Sequence, residues 1–145
     1  MRENEITEII IGCAIEVHRG LGPGLLESVY EQCLCFELAQ RNLSFRRQVE
    51  LPVNYKSVNL ACGYRMDIVV EELVIVEIKA VEQILKIHEA QLLSYLRLYR
   101  KSVGLLINFH TPVLKSGIRR IVNNFIEDSA SQRLCVEYLV EGENQ

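Results

Sequence analysis

The stretch Gly63–Ala80, GYRMDIVVEELVIVEIKA, decides the fold because a short acidic break separates two apolar runs. Runs of β-branched residues bounded in this way predict two neighbouring strands. The second run is apolar almost throughout, which predicts a central strand buried on both faces. Asp67, Glu77 and Lys79 nevertheless stand inside these strands. Because a charge in an apolar strand costs stability, these three side chains become candidates for function.

Helical and strand periods alternate along the rest of the chain. A Gly/Pro break at 19–24 separates the first two helices, and a helix after Ala80 leads to a strand that could lie parallel in the same sheet. The order α, α, β, β, β, α, β, α, β predicts one mixed α/β layer structure. The predicted elements are helices at 5–18, from 25 to about Gln40, 84–101 and 117–128, with strands at 45–55, 58–70, 73–80, 102–109 and 134–140.

The second predicted helix takes its apolar face from six residues, Leu25, Leu26, Val29, Leu34, Phe36 and Leu38. We predict one domain over 1–145, with a core at about 5–125 and a C-terminal strand and frayed tail at 133–145.

Composition narrows the class of protein. The chain has 145 residues, of which 49% are hydrophobic and 24% charged, as expected of a globular protein. Five cysteines without a CxxC pair predict reduced, buried thiols rather than a zinc ribbon. The N-terminus carries no signal-peptide pattern and no apolar stretch could span a membrane, so we expect a cytoplasmic location and no membrane partner.

The net charge of −3 gives no global attraction to nucleic acid, which leaves that role to local basic clusters. For any one cluster, ordinary surface charge is the simpler interpretation. The candidate clusters are Arg46–Arg47, Arg97, Arg100–Lys101 and Lys115 with Arg119 and Arg120.

The charged strand residues suggest a chemistry. Glu77 and Lys79 are two apart, so on a strand they share a face, and a hairpin could bring Asp67 beside Glu77. Two adjacent carboxylates repel unless a cation intervenes, and hard oxygen ligands suit Mg²⁺ or Mn²⁺. A nearby lysine can stabilise charge that builds up on a phosphate. This D…ExK pattern therefore predicts phosphodiester hydrolysis, although ExK alone also describes a charged edge strand.

Two helices supply possible partners for these strand residues. Gln91 and Tyr95 are four residues apart on the third helix and share one face. Glu27 and Tyr30 are three apart on the second helix, where Glu27 can offer a third carboxylate.

Four blocks carry a family resemblance: GLLESVY, with Gly24-x-x-Glu27-x-x-Tyr30, then GYRMDIVV, VEIKAVEQILKIHEAQLLSYL and GLLINF. From roughly Ile6 to Asn123 the chain resembles the GxxExxY proteins, small bacterial and archaeal proteins of the PD-(D/E)xK nuclease superfamily. The resemblance implies a restriction-endonuclease-like fold, with a mixed central β-sheet flanked by helices.

The same resemblance implies roles for the site residues. Asp67 and Glu77 match metal ligands, and Lys79 matches the catalytic lysine. Glu27 matches the helical acid that completes the metal site. Gln91 and Tyr95 match a QxxxY motif, which occurs in nuclease domains of bacterial recombination exonucleases and helps to place substrate and active-site residues.

Further substrate contacts could come from Tyr30, His18, Arg19 and His88. For His18 and Arg19 the alternative is a cation pair at a helix C-terminus, favoured by the helix dipole. For His88 it is a solvated helix residue.

The leading hypothesis is a nuclease that uses Mg²⁺, with Mn²⁺ able to substitute, and that acts on nucleic acid, DNA rather than RNA. Such a nuclease could act as a homodimer. One alternative is a catalytically silent module of the same fold that binds nucleic acid or protein as a homodimer. Another is hydrolysis of a different phosphodiester.

Overall fold

A computed structural model describes residues 2–61 and 63–124 of the chain. It shows a mixed α/β domain in which helices flank a five-stranded sheet. The predicted fold class is therefore confirmed. The elements are α1 Arg2–Leu21, α2 Glu27–Gln40, β1 Phe45–Glu50, β2 Val53–Tyr55, β3 Val58–Leu60, β4 Arg65–Val70, β5 Val74–Lys79, α3 Lys86–Tyr99, β6 Val103–Asn108, a 3₁₀ helix Leu114–Gly117 and β7 Ile118–Val122. The strand order in the sheet is β1-β4-β5-β6-β7.

The strand β5 lies at the centre of the sheet, as its apolar sequence predicts. It runs antiparallel to β4 and parallel to β6, from Val74 opposite Val103 to Lys79 opposite Asn108. The helix α3 makes the crossover between β5 and β6. The helices α1 and α2 cover one face of the sheet and α3 covers the other, which produces two apolar cores. By strand alternation, Ile75, Glu77 and Lys79 face α3.

The start of α2 differs from the prediction. The helix begins at Glu27, after a turn in which Gly22 and Gly24 have positive φ values. Leu25 and Leu26 therefore precede the helix and are 41% and 74% exposed, and Phe36, on the helix, is 61% exposed, so none of the three belongs to the buried face. The buried face is formed by Tyr30, Glu31, Leu34, Cys35 and Leu38, which follow the i, i+4 spacing of a helix.

A small hairpin interrupts the two strands predicted at 45–55 and 58–70. The chain leaves β1 at Glu50, and β2 and β3 pair only with each other. Lys56 and Ser57 form their turn with positive φ values, as the turn-like sequence there suggests. We call Val53–Leu60 the β2–β3 hairpin.

The described part of the segment predicted as a helix at 117–128 instead contributes β7, so the prediction is wrong there, and 125–128 lie outside the described residues. Ile118 and Ile121 are three apart, which resembles a helical period. On a strand this spacing puts them on opposite faces, and both faces of this sheet are covered. Ile118 packs in the core on the side of α1 and α2, and Ile121 packs in the core on the side of α3. The strand predicted at 134–140 and the tail lie outside the described residues.

Among the residues described, no helix is both long enough and apolar enough to cross a membrane.

Two glycines provide a matched stability prediction. A Cβ at Gly117 would lie 2.4 Å from the backbone oxygen of Asn108, whereas one at Gly12, inside α1, would meet nothing within 4 Å. We expect Gly117→Ala to lower the free energy of unfolding by about 1–3 kcal/mol through overpacking. Gly12→Ala should raise it by about 0.5–1 kcal/mol through helix propensity. Urea denaturation measures both, and a Gly117→Ala variant as stable as wild type would contradict the packing described.

Candidate active site

The strands β4 and β5 part at the two acidic residues. Their regular pairing ends at Ile68 opposite Val76, one step before Asp67 and Glu77. Beyond this point, carboxylate side chains rather than backbone carbonyls accept the hydrogen bonds of two backbone N–H groups. The backbone N–H of Asp67 donates to Oε2 of Glu77 at 2.9 Å, and the backbone N–H of Ile78 donates to Oδ2 of Asp67 at 2.8 Å. The sequence predicted two neighbouring carboxylates, and the structure brings them together.

Burial makes this pair electrostatically costly. Glu77 is 5% exposed. Burial, reinforced by the charge of Asp67, raises the pKa of Glu77 to about 8, with Lys79 acting in the opposite direction. Burial also raises the pKa of Asp67, and the charges of Glu31 and Glu27 add to this effect. Ionising both carboxyls in this buried place is therefore unfavourable unless a cation is present.

The helix α2 brings two more carboxylates to this place. Oε2 of Glu27 accepts a hydrogen bond from the backbone N–H of Ala80 at 3.2 Å. Glu31 is 6% exposed and pairs with Nε of Arg47 at 3.0 Å. Glu27, Glu31 and Asp67 line one cleft of about 570 Å³. The sequence reading missed Glu31, although its position four residues after Glu27 places both on the same helix face.

Gln48 on β1 is a second residue that sequence reasoning missed. Its Nε2 donates to Oε1 of Glu31 at 3.0 Å and contacts Oδ1 of Asp67 at 3.5 Å. Its φ of 50° is unusual for a non-glycine residue inside a strand. Regular pairing of β1 with β4 is present on both sides of Gln48 but not at Gln48 itself. The backbone at Asp67 is thus irregular toward both neighbouring strands.

Lys79 is the last residue of β5 and is half-buried. Its carbonyl accepts a hydrogen bond from the backbone N–H of Phe109 at 2.9 Å. The side chain of Asn108, 2% exposed, binds both the N–H and the carbonyl of Val81, at 3.0 and 2.9 Å. Asn108 therefore fixes the segment after Lys79. In the sequence, the sign of this role is its position at the end of an apolar strand.

The helix α3 carries Tyr95 and Gln91, four residues apart on one helix face. Tyr95 is 6% exposed, and burial raises the pKa of its hydroxyl to about 12, with the charge of Glu77 as the next cause. The Tyr95 ring centroid lies 6.2 Å from that of Tyr64. Gln91 is half-buried one turn earlier on the same helix. Tyr95 thus remains a neutral hydroxyl close to the carboxylates.

Tyr30 lies where it cannot contact substrate directly. It is fully buried, and its ring stacks on Phe109 with centroids 4.4 Å apart. Its hydroxyl donates to the carbonyl of Gly22 at 2.6 Å and accepts from the N–H of Leu25 at 3.1 Å. These bonds hold the turn that leads to Glu27, so Tyr30 shapes the site from within the core.

The histidines and Arg19 occupy different surroundings. Nε2 of His18 bonds to the carbonyl of Thr111 at 2.8 Å, and Arg19 pairs with Glu16 on its own helix at 2.9 Å. Neither of these contacts involves Glu27, Asp67 or Glu77. Nδ1 of His88 accepts from the N–H of Leu85 at 2.9 Å. Burial and the charge of Lys79 lower the pKa of His88, which places it beside the site.

Some residues of the basic clusters form ion pairs with acidic side chains. Arg46 pairs with Glu72 at 2.6 Å, and Arg119 lies 3.8 Å from Glu89. A larger cleft of about 820 Å³ has a lining that includes Lys115, Arg119 and Arg120. Among the residues that the structure describes, none that lines this cleft carries a carboxylate, so the smaller cleft beside Asp67 is the better candidate for the chemistry.

The oxygen donors fit a divalent cation. Within 2–61 and 63–124, no three Asp, Glu, His or Cys side chains form a ready-made metal cluster. Mg²⁺, however, usually takes one or two carboxylates and retains water in its other positions. Asp67 and Glu77 provide adjacent hard oxygens, and burial raises the pKa of both carboxyls, so a bound cation would favour their ionised forms.

Comparisons with known proteins agree with this geometry. A family model described as the PD-(D/E)XK nuclease superfamily matches residues 4–121. Nucleases of this superfamily generally use divalent metal ions. Comparison with curated proteins finds no match, and comparison with solved structures finds none either. Because the matching model covers most of the chain, the protein belongs to the PD-(D/E)XK nuclease superfamily.

Proposed function

We propose that this protein is a metal-dependent nuclease that hydrolyses phosphodiester bonds in nucleic acid. The observation that carries the proposal is the meeting of Asp67 and Glu77 where β4 and β5 part, with Lys79 at the end of the same strand. Membership of the superfamily supports a nuclease-like function.

Each residue has a proposed role. Asp67 and Glu77, with Glu27 directly or through water, hold Mg²⁺, for which Mn²⁺ can substitute. The bound cation supplies positive charge for the phosphoryl oxygens. Lys79 places its ammonium where charge develops during attack by water, and the half-buried setting strengthens that interaction.

The surrounding residues keep these groups in place. Tyr95 and Gln91 cover the site from α3, and the neutral Tyr95 hydroxyl can support Lys79 or contact substrate. Gln48 and Asn108 act as positioning residues, because one holds Asp67 and Glu31 and the other holds the segment after Lys79.

Finer assignments are also proposals. Gly24, Glu27 and Tyr30 support membership of the GxxExxY family. The QxxxY motif supports DNA over RNA, because the resemblance associates it with recombination exonucleases. We further propose a cytoplasmic protein, a single domain over 1–145 and a homodimer.

The purified protein should cleave DNA in Mg²⁺ or Mn²⁺, and EDTA should abolish cleavage. A panel of labelled single-stranded and duplex DNA and RNA, with bis(p-nitrophenyl) phosphate as a small phosphodiester, measures the preference on gels and by absorbance. Cleavage of the small ester alone would support a different phosphodiesterase. No cleavage of any member with either cation would contradict an active nuclease and favour a silent binding module.

A further inference from the structure

The β2–β3 hairpin stands at the end of the sheet where the carboxylates lie. The backbone N–H of Leu51 donates to the carbonyl of Tyr64 at 3.0 Å and closes the base of the hairpin. Asp67 follows Tyr64 by three residues. The hairpin therefore extends from β1 and β4 at the mouth of the site, rather than from the opposite end of the sheet.

One face of this hairpin is apolar and exposed. Val53 pairs with Leu60 and Tyr55 with Val58, so strand alternation puts these four side chains on one face. Tyr55, Val58 and Leu60 are 61%, 52% and 41% exposed in the described structure. Exposed apolar side chains that cluster in this way mark interaction surfaces more often than isolated ones do.

Tyr64 connects the hairpin to the catalytic carboxylates. Its side chain is 48% exposed, and its ring centroid lies 6.2 Å from that of Tyr95. Tyr95 in turn is close enough to Glu77 and Asp67 for their charges to act on its hydroxyl. A contact between the exposed ring of Tyr64 and the buried ring of Tyr95 thus links the base of the hairpin to the site.

The positive charge of residues 51–66 favours the binding of a polyanion. Residues 51–66 contain Lys56 and Arg65 and no Asp or Glu, in a chain whose net charge is −3. Nζ of Lys56 lies 5.4 Å from the ring centroid of Tyr55. An exposed ring beside a cation suits single-stranded nucleic acid, because an unpaired base stacks on the ring while the cation meets a phosphate.

We propose that the β2–β3 hairpin is a docking platform for single-stranded nucleic acid, which it delivers to the site at Asp67 and Glu77. Unpaired bases stack on Tyr55, while Lys56 and Arg65 contact the phosphates. Paired bases in a duplex cannot expose their faces in this way, so the hairpin selects single strands or frayed ends. The inference rests on the proposed nuclease function, since it names the form of the substrate.

Fluorescence anisotropy in EDTA tests this platform without cleavage. The probe is a labelled oligothymidylate of about 20 nucleotides, long enough to exceed a typical single-strand site. Tyr55→Ala should weaken binding by about tenfold, and Tyr55→Phe, which keeps the ring, should bind as wild type does. Phe36→Ala is the matched control, because Phe36 on α2 is an aromatic residue that is also 61% exposed. A blunt duplex of the same length should bind more weakly than the single strand.

Unchanged binding by Tyr55→Ala would overturn the platform. If Tyr55→Ala binds as wild type does but no longer forms a dimer in light scattering, the hairpin is an interface between copies, and the platform is again overturned. The two proposals fail separately. If wild type cleaves nothing but Tyr55→Ala still loses binding, only the nuclease function is contradicted. If wild type cleaves with Mn²⁺ and Tyr55→Ala cleaves single strands with unchanged KM, only the platform is contradicted.

Discussion

Replacing Lys79 by alanine should reduce cation-dependent cleavage by about 10²–10³-fold or more. Lys79 ends β5 and faces α3 with Glu77, so its ammonium is the positive side chain that strand geometry assigns to the site. The fold should survive, because the residue is half-buried at a strand end and the apolar β5 side chains remain. Gel assays of initial rate and far-UV circular dichroism measure the two effects.

A matched lysine provides the control. Lys101 precedes β6, which runs parallel to β5, so it lies at the opposite end of the sheet from Lys79. Lys101→Ala should therefore cleave as wild type does. Asp67→Ala and Glu77→Ala should lose cleavage as completely as Lys79→Ala. A Lys79→Ala variant as active as wild type would exclude the role given to this lysine.

Metal binding should become stronger as the pH rises toward 8. Burial and Asp67 raise the pKa of Glu77 from 4.5 to about 8, so the metal-free carboxyl keeps its proton at neutral pH. A cation must displace that proton, and the apparent affinity should increase by about tenfold per pH unit below the raised pKa. Calorimetric titration of Mn²⁺ at several pH values, in buffers of different ionisation enthalpy, measures both affinity and proton release.

In the metal-free protein, the raised pKa of Glu77 should also make the free energy of unfolding depend on pH. Because the folded pKa of Glu77 lies above the unfolded value, its contribution is fully present below 4.5 and is lost as the pH rises through about 8. Glu77→Gln should remove this slope, whereas Glu5→Gln, which changes an exposed carboxylate on α1, should leave it in place. Thermal denaturation from pH 5 to 8 checks this. An identical slope in wild type and Glu77→Gln would show that Glu77 is not the group that titrates.

The part of the fold around β5 could be predicted because its sequence signals are local and strong. A strand that is apolar on both faces must be central, and a following helix returns the chain to a parallel neighbour. β7 could not be predicted in the same way. Ile118 and Ile121 are buried in separate cores, and only the tertiary structure shows that the sheet is covered on both sides.

The site was predictable where chemistry determines residue type and spacing. Asp67, Glu77 and Lys79 are unusual in apolar strands, and Glu31 follows Glu27 at helical spacing. Gln48 gives no such signal, because its importance comes from a backbone φ of 50° beside Asp67. Tyr30 shows the opposite case: it stands in a conspicuous motif, yet it is buried and holds a turn by hydrogen bonds.

A crystal structure of the protein soaked in Mn²⁺, with data collected at the manganese absorption edge, shows directly whether Asp67 and Glu77 bind a cation. We expect an anomalous peak between Asp67 and Glu77, about 2.0–2.3 Å from a carboxylate oxygen of each, as expected for a small hard cation. The peak should vanish in crystals of Asp67→Ala. An ordered site without such a peak, or a peak elsewhere that the variant retains, would contradict a metal site at these two carboxylates.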